Sequence, residues 1–241
     1  MSRAREFLLE LFPESKLEER NGLTVLFAEN ENDVIAVVNL AIEHKLKICP
    51  AGSMAHIAPT ETDCVVVSSL RMDRLVEYSA GDLYVTLQSG IRLSNLNSLV
   101  ADEQFLFAFG DCGYTGTIGG AVAMGLSAQL GGESIHIKRW VPSLSFVTPY
   151  GKHIRVGAVT LKSVAGYDIT KLLVGSKGRF GLITSVTLRL IHGSQERDFS
   201  GMALNTAGIT HPSWKDVSPG LSAVERHLKK NLDPYAIFPS L

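Results

Sequence analysis

The sequence predicts an α+β protein, rich in strands and punctuated by glycine loops. Three observations carry that expectation. Near the N-terminus, short apolar runs of strand length flank a segment with helical spacing. Farther on, Leu83, Val85 and Leu87, and again Val186, Leu188 and Leu190, alternate with polar neighbours in the period-two pattern of half-buried strands. Dense glycine clusters then separate these segments, at 113–120 and 175–181.

Taken in order, Phe7, Leu8, Leu11 and Phe12 give an opening amphipathic helix, and Leu23–Ala28 is apolar enough for a strand. Cap residues from Asn30 to Asp33 lead into Val34, Val37, Val38, Ala41 and Ile42 at helical spacing. A short strand at Lys47–Cys49 runs into the turn Pro50-Ala51-Gly52-Ser53, and Cys64–Ser68 is the next strand. Leu93, Leu96 and Val100 suggest a helix starting near Ser94. Leu144–Val147 and His153–Val156 flank Pro149-Tyr150-Gly151 as a hairpin. A short helix is expected around Asp168–Val174, and a helical pattern returns from Ala223. Between Gly193 and Gly220 the chain turns to Gly, Ser, Thr, Pro and Asn with little periodicity, as a long connection or a reduced subdomain would.

Composition narrows the partners. Of 241 residues, 45% are hydrophobic and 20% charged, enough apolar material for a real core. Lys plus Arg number 23 against 24 Asp plus Glu, a formal net charge of −1, with the basic residues scattered. Such a chain has no field to hold a nucleic-acid backbone, so nucleic acid is not expected as a partner. The three cysteines, Cys49, Cys64 and Cys112, are odd in number and lack Cys-x-x-Cys spacing, so no disulfide framework, metal site or iron–sulfur site of the chain's own is expected. No uncharged apolar run approaches the roughly 20 residues that span a bilayer, and the charged N-terminus lacks the apolar core of a secretory signal. The expected location is cytoplasmic.

Three loops carry the chemical signal. In Pro50-Ala51-Gly52-Ser53-Met54-Ala55, a strand ends in small residues whose backbone N–H groups are free to face an anion. From Asp111 to Ala123 the chain holds Gly113, Gly116, Gly119 and Gly120, with Thr115 and Thr117 adding hydroxyls. Glycine at that density costs chain entropy, so close backbone approach or positive φ is needed there. A tight strand-to-helix crossover without any ligand would explain this loop equally well. The third runs Val164-Ala165-Gly166-Tyr167-Asp168, then Gly175-Ser176-Lys177-Gly178 and Gly181-Leu182-Ile183. Here Asp168 would cap the following helix, and capping and permissive turns account for each residue separately. Rossmann, P-loop, zincin and nucleophile-elbow signatures are all absent.

In this order and spacing the loops resemble the FAD-binding domain shared by vanillyl-alcohol oxidase, D-lactate dehydrogenase and glycolate oxidase, the PCMH type. The third loop and the closing Asp233-Pro234 and Ile237-Phe238-Pro239 are most similar to the glycolate oxidase flavin subunits, the small one in particular. The resemblance covers roughly residues 20–191 and the tail. It implies a two-lobed FAD-binding fold with a strongly reduced substrate cap. Residues 1–191 would form the FAD domain, its lobes meeting near residue 60. Residues 192–221 would be the reduced cap or linker, and 222–241 a segment packing back on the FAD domain.

The resemblance implies FAD as cofactor. Pro50, Ala51, Gly52, Ser53, Met54 and Ala55 would wrap the pyrophosphate. Asp111, Gly113, Tyr114, Thr117, Ile118, Gly119, Gly120 and Ala123 would line the phosphate and ribityl side. Ala165, Gly166, Tyr167 and Asp168 would approach the flavin, and Gly181 and Ile183 the adenosine end. Ala51 and Met54 stand where Arg and Gly are common in the family. Non-covalent rather than covalent attachment is expected, since His56 follows later than the usual linking His and Cys112 reads as a small packed residue. With so short a cap, His192, His211 and Lys215 make no substrate site, and no catalytic residue is assigned.

The implied activity is that of a flavin subunit in a 2-hydroxy-acid dehydrogenase of the glycolate type. A larger flavin subunit and an iron–sulfur subunit would be its partners, and any membrane association would run through them. A stand-alone minimal FAD oxidoreductase and a structural subunit that has lost FAD are the alternatives.

Overall fold

A computed structural model describes residues 2–54, 64–100, 105–110, 112–130, 132–159, 169–193, 202–205 and 223–239. The expected lobe boundary near residue 60 lies outside them, as does most of the interval 192–221.

The N-terminal layer holds α1 (Arg3–Leu11), β1 (Leu17–Arg20), β2 (Leu23–Phe27), α2 (Glu31–His44), β3 (Lys47–Ala51) and β4 (Cys64–Ser68). Its sheet runs β1-β2-β4-β3, with β1 antiparallel to β2 and the other pairs parallel. Asn30 starts α2 by accepting from the N–H groups of Asn32 and Asp33. Val34, Val37, Val38 and Ala41 then recur on one buried face and meet Leu8 of α1 and Ile48, Val65 and Val67 of the sheet. The opposite sheet face is also apolar, through Val25, Phe27, Cys49, Cys64 and Val66. Two covered faces explain why β2 and β4 are unbroken apolar runs. Pro50 is tolerated within β3 because β3 is the edge strand.

The second layer begins with β5 (Leu75–Ser79), β6 (Tyr84–Gln88), α3 (Leu96–Val100), β7 (Phe105–Leu106), α4 (Ile118–Met124), β8 (Ser127–Leu130), β9 (Glu133–His136), β10 (Ser143–Val147) and β11 (His153–Gly157). It continues through α5 (Thr170–Leu173), β12 (Leu182–Arg189), β13 (Ile191–His192), β14 (Ala203–Asn205) and α6 (Ala223–Leu232). A five-stranded sheet, β11-β10-β12-β6-β5, is antiparallel throughout. Val85, Leu87, Leu144, Val186 and Leu188 from its inner face pack with Ile118, Ala121 and Val122 of α4 and with Phe107 and Phe109. Val147 and Leu182 instead join the core of the first layer, so the two layers share apolar side chains. The β10–β11 turn rests on α2, where a Cβ at Gly151 would collide with the Asn39 side chain.

Two differences from the sequence reading have clear causes. Leu83 does not enter β6; it takes φ 54° at the turn and is exposed. Thr187, on the polar side of β12, is buried at 1% exposure because its hydroxyl meets Thr86 (2.9 Å) and Ser143 (2.9 Å) on the flanking strands. The interval read as a linker contributes β14, which pairs with β8 and extends the small sheet β14-β8-β9. Beyond α6, Ile237 accepts from the Ile48 N–H at the edge of β3 (2.7 Å), and Ile237 and Phe238 are buried in the first core.

Candidate functional site

Strand β3 carries the chain to Gly52 at the junction of the two layers. Ser68 holds the loop by donating its hydroxyl to the Gly52 carbonyl (2.8 Å), and the Ser69 N–H donates to the Ala51 carbonyl (2.9 Å). Met54 follows with φ 61°, a left-handed conformation that glycine adopts without strain. The successive N–H groups of Gly52, Ser53 and Met54 donate to no acceptor among the described residues.

Opposite stands the turn before α4. Thr117 caps that helix through Oγ1, which accepts from the Gly120 N–H (3.2 Å). The turn is sewn to the main sheet by Ile118 N–H to the Ile91 carbonyl (2.8 Å) and Gly119 N–H to the Ser89 carbonyl (2.8 Å). Glycine is required at Gly119, where a Cβ would stand 2.6 Å from that of Ser89. A Cβ on Gly52 would overlap Thr117 Oγ1, so the two loops touch across the layers.

The third wall is the turn 175–181. It hangs from the end of α4 by Gly175 N–H to the Val122 carbonyl (3.0 Å) and Lys177 N–H to the Ala123 carbonyl (2.8 Å). Gly178 lies against the Pro50 ring. Gly181 returns the chain into β12 with φ 135°, packed on the Val147 carbonyl.

These walls enclose an open cleft of about 730 Å³, solvent at its mouth included. Of the residues singled out from sequence, Pro50, Ala51, Gly52, Ser53, Met54, Tyr114, Thr117, Gly119, Gly120, Ala123, Gly181 and Ile183 line it together. Gly113 and Ile118 do not. Gly113 is exposed with φ 86°, serving the turn's geometry, and Ile118 is fully buried in the second core because a residue entering α4 must fill that core. Ala55, Asp111, Ala165, Gly166, Tyr167 and Asp168 lie outside the described residues, as do His56, His211 and Lys215. The cleft adds Ser69, Met124, Lys177, Gly178 and Leu182. Lys177 carried a signal, a basic residue inside a glycine turn. Ser69 and Met124 carried none, since they arrive from elements with ordinary core patterns.

Among the described residues Lys177 is the one charged side chain on the cleft wall. Burial, assisted by the nearby Arg179 charge, holds its pKa below the usual lysine value. Burial pushes the Tyr114 hydroxyl up to about 12, with Cys112 adding to the effect, so Tyr114 is a neutral donor at physiological pH. No His, Asp or Glu among the described residues lines the cleft, and none of them form a metal-binding cluster. Unused backbone donors, one lysine and apolar walls of Met, Leu and Ile fit a ligand with a phosphate segment and flat apolar groups. Lys177 and Tyr114 are the titratable side chains of the described walls.

A family model described as "FAD binding domain" matches residues 23–157. The D-lactate dehydrogenase of Anaerostipes hadrus is 29% identical over 168 residues, covering 68% of this chain and 35% of that protein. Glycolate oxidase subunit GlcE of Escherichia coli K12 is 30% identical over 157 residues, 64% of this chain and 45% of that protein. The chain thus spans between a third and a half of the length of these curated relatives. A solved structure of alkyldihydroxyacetonephosphate synthase superposes with a TM-score of 0.65 at 17% identity, covering 80% of this chain and 41% of the other, a likeness of fold.

Proposed function

The chain belongs to the FAD-binding domain family, and from that premise we propose that it is the FAD-holding subunit of a flavin-dependent 2-hydroxy-acid dehydrogenase of the glycolate type. The observation that carries the reading is the cleft between the layers, where the Gly52–Met54 loop presents unused N–H groups and the opposite wall brings Lys177. The N–H groups of Gly52, Ser53 and Met54 and the Lys177 ammonium would hold the pyrophosphate; charge-assisted bonds of this kind are the strong ones. Tyr114, Thr117, Gly119 and Gly120 would line the phosphate and ribityl side, Ala165 to Asp168 the flavin, and Gly181 and Ile183 the adenosine end. FAD, when bound, supplies the capacity to accept a hydride and pass electrons on. Met54 packs against the apolar cluster of Val25, Phe27, Cys49, Cys64 and Val66 behind the loop. Attachment is non-covalent.

A larger flavin subunit and an iron–sulfur subunit are the partners proposed; the Escherichia coli relative is a subunit of glycolate oxidase, which supports a heteromeric setting. No helix of the described residues is long and apolar enough to cross a membrane, and a cytoplasmic location with membrane association only through partners is part of the proposal. The test is the visible spectrum of the purified chain through gel filtration, before and after FAD, then glycolate or D-lactate. Retained flavin released by acid precipitation supports the reading. Bleaching by either acid in the isolated chain would overturn dependence on partners. Failure to retain flavin after reconstitution would overturn the cofactor itself.

A further inference from the structure

The C-terminal tail bridges the two walls of the cleft without lining it. From α6, the Lys229 ammonium donates to the Arg179 carbonyl (2.7 Å), to Asp233 Oδ2 (2.6 Å) and to the Phe238 carbonyl (3.3 Å). All three of its N–H bonds are therefore satisfied inside the fold. Its partner Asp233 is wholly buried as a side chain, and its oxygens also accept from the N–H groups of Ile237 (3.2 Å) and Phe238 (3.0 Å). This carboxylate thus folds the tail into the turn that lets Ile237 pair with Ile48 on β3. Two residues beyond Ile48, Pro50 meets Gly178 of the opposite wall.

One ion pair thus reaches both walls. Through the Arg179 carbonyl it grips the turn that carries Lys177, Gly178 and Gly181. Through the Ile237 carbonyl it anchors the strand that ends in Gly52. We propose that Lys229 and Asp233 are positioning residues for the cleft, a clip that fixes the 175–181 turn, and with it the Lys177 ammonium, against the Gly52 loop. Burial depresses the Lys229 pKa despite the Asp233 charge, as expected of a cation enclosed by the fold. The inference rests on the proposed FAD site for its functional consequence, but the clip itself is measurable without FAD.

Lys229→Met removes the grip on Arg179; because it strands a buried carboxylate, Lys229→Met/Asp233→Asn is its companion and Lys229→Arg the conservative rescue. Hydrogen–deuterium exchange on the FAD-free chain is expected to show faster exchange in 175–181 for both Met variants, with α2 and β12 unchanged. Unchanged exchange in 175–181, or uniform loss of protection over the whole chain, overturns the proposal. FAD titration then reads the consequence: dissociation constants about tenfold weaker in the Met variants and restored by Arg. In a Lys177→Met background the same changes are expected to have little further effect, because the clip acts through that ammonium. Additive losses, as a merely structural role would give, overturn it. A wild-type chain that binds no FAD refutes the cofactor reading, and the exchange experiment still decides the clip.

Discussion

Replacing Gly52 by alanine adds one carbon at the contact between the two layers. That carbon would overlap Thr117 Oγ1 and stand 3.1 Å from Thr117 Cβ and 3.2 Å from Cγ2. Rotating the threonine moves the hydroxyl but leaves the Cβ contact, and it breaks the cap on the Gly120 N–H. Loss of such a cap costs about 1 kcal/mol, and overpacking a closed contact about 1–3 kcal/mol. Thr117 is 1% exposed, so its side chain has no solvent to retreat into. The sum, about 2–4 kcal/mol, is expected to lower the Tm by roughly 5–15 °C for a chain of this size. FAD affinity is expected to fall with it, because the loop separates from α4. Thermal unfolding followed by circular dichroism measures the first effect and FAD titration the second. Thr117→Gly removes the three atoms nearest the new carbon, so the double variant is expected to be more stable than Gly52→Ala alone by about 1–2 kcal/mol. A Gly52→Ala variant that melts with the wild type, or strict additivity in the double, would refute the loop-to-loop contact.

Lys177→Met is expected to weaken FAD by about tenfold to a hundredfold, the loss of a hydrogen bond to a charged group, while the FAD-free fold gains stability at neutral pH because an ammonium with a burial-lowered pKa is removed. The sign of the pH effect follows: wild-type affinity declines as pH rises through the lowered Lys177 pKa, below the ordinary 10.5, and titrations of the variant at pH 7–10 lack that decline. Tyr114 makes a separate signature. Its acid form is favoured in the fold, so the stability it confers is intact below the unfolded pKa near 10 and is lost as pH climbs toward about 12, a fall of about 2–3 kcal/mol; denaturant midpoints from pH 9 to 11.5 should decline less steeply in Tyr114→Phe. Met54→Gly is expected to leave the Tm within about 3 °C, since relief of a left-handed residue, about 1 kcal/mol, is offset by the freedom glycine gains unfolded; a large destabilisation would show that Met54 packing dominates.

Much of this architecture was legible from residue pattern. The Asn30 cap, the Val34–Ala41 face and the apolar runs of β2 and β4 needed only local rules. The hairpin at Pro149–Gly151 announced itself through its turn residues, and Gly151 has φ 69° as the turn demands. What escaped was set by tertiary partners. Strands β1 and β5 carry Glu, Arg and Ser at an exposed edge, and their strand state comes from pairing with β2 and β6. Thr187 reads as solvent-facing, yet its burial depends on Thr86 and Ser143, distant in sequence. The cleft was legible as loops, because glycine density marks where backbones must approach. Its lysine stands inside the glycine turn in the sequence, while the burial that lowers its pKa arises only when α4, β3 and the 175–181 turn converge.

The pairing of β14 with β8 gives the chain a modular joint. The stretch after β12 is tied down at β13 on β7, again at β14 on β8, and finally where α6 and the tail grip both walls. The two sides of 206–222 are therefore anchored by contacts that do not involve the residues between them. Lengthening a connection between fixed ends costs only about 0.6 kcal/mol for each doubling. A whole extra domain can therefore be grafted there, or pared away, without altering the register of the sheets or the shape of the cleft.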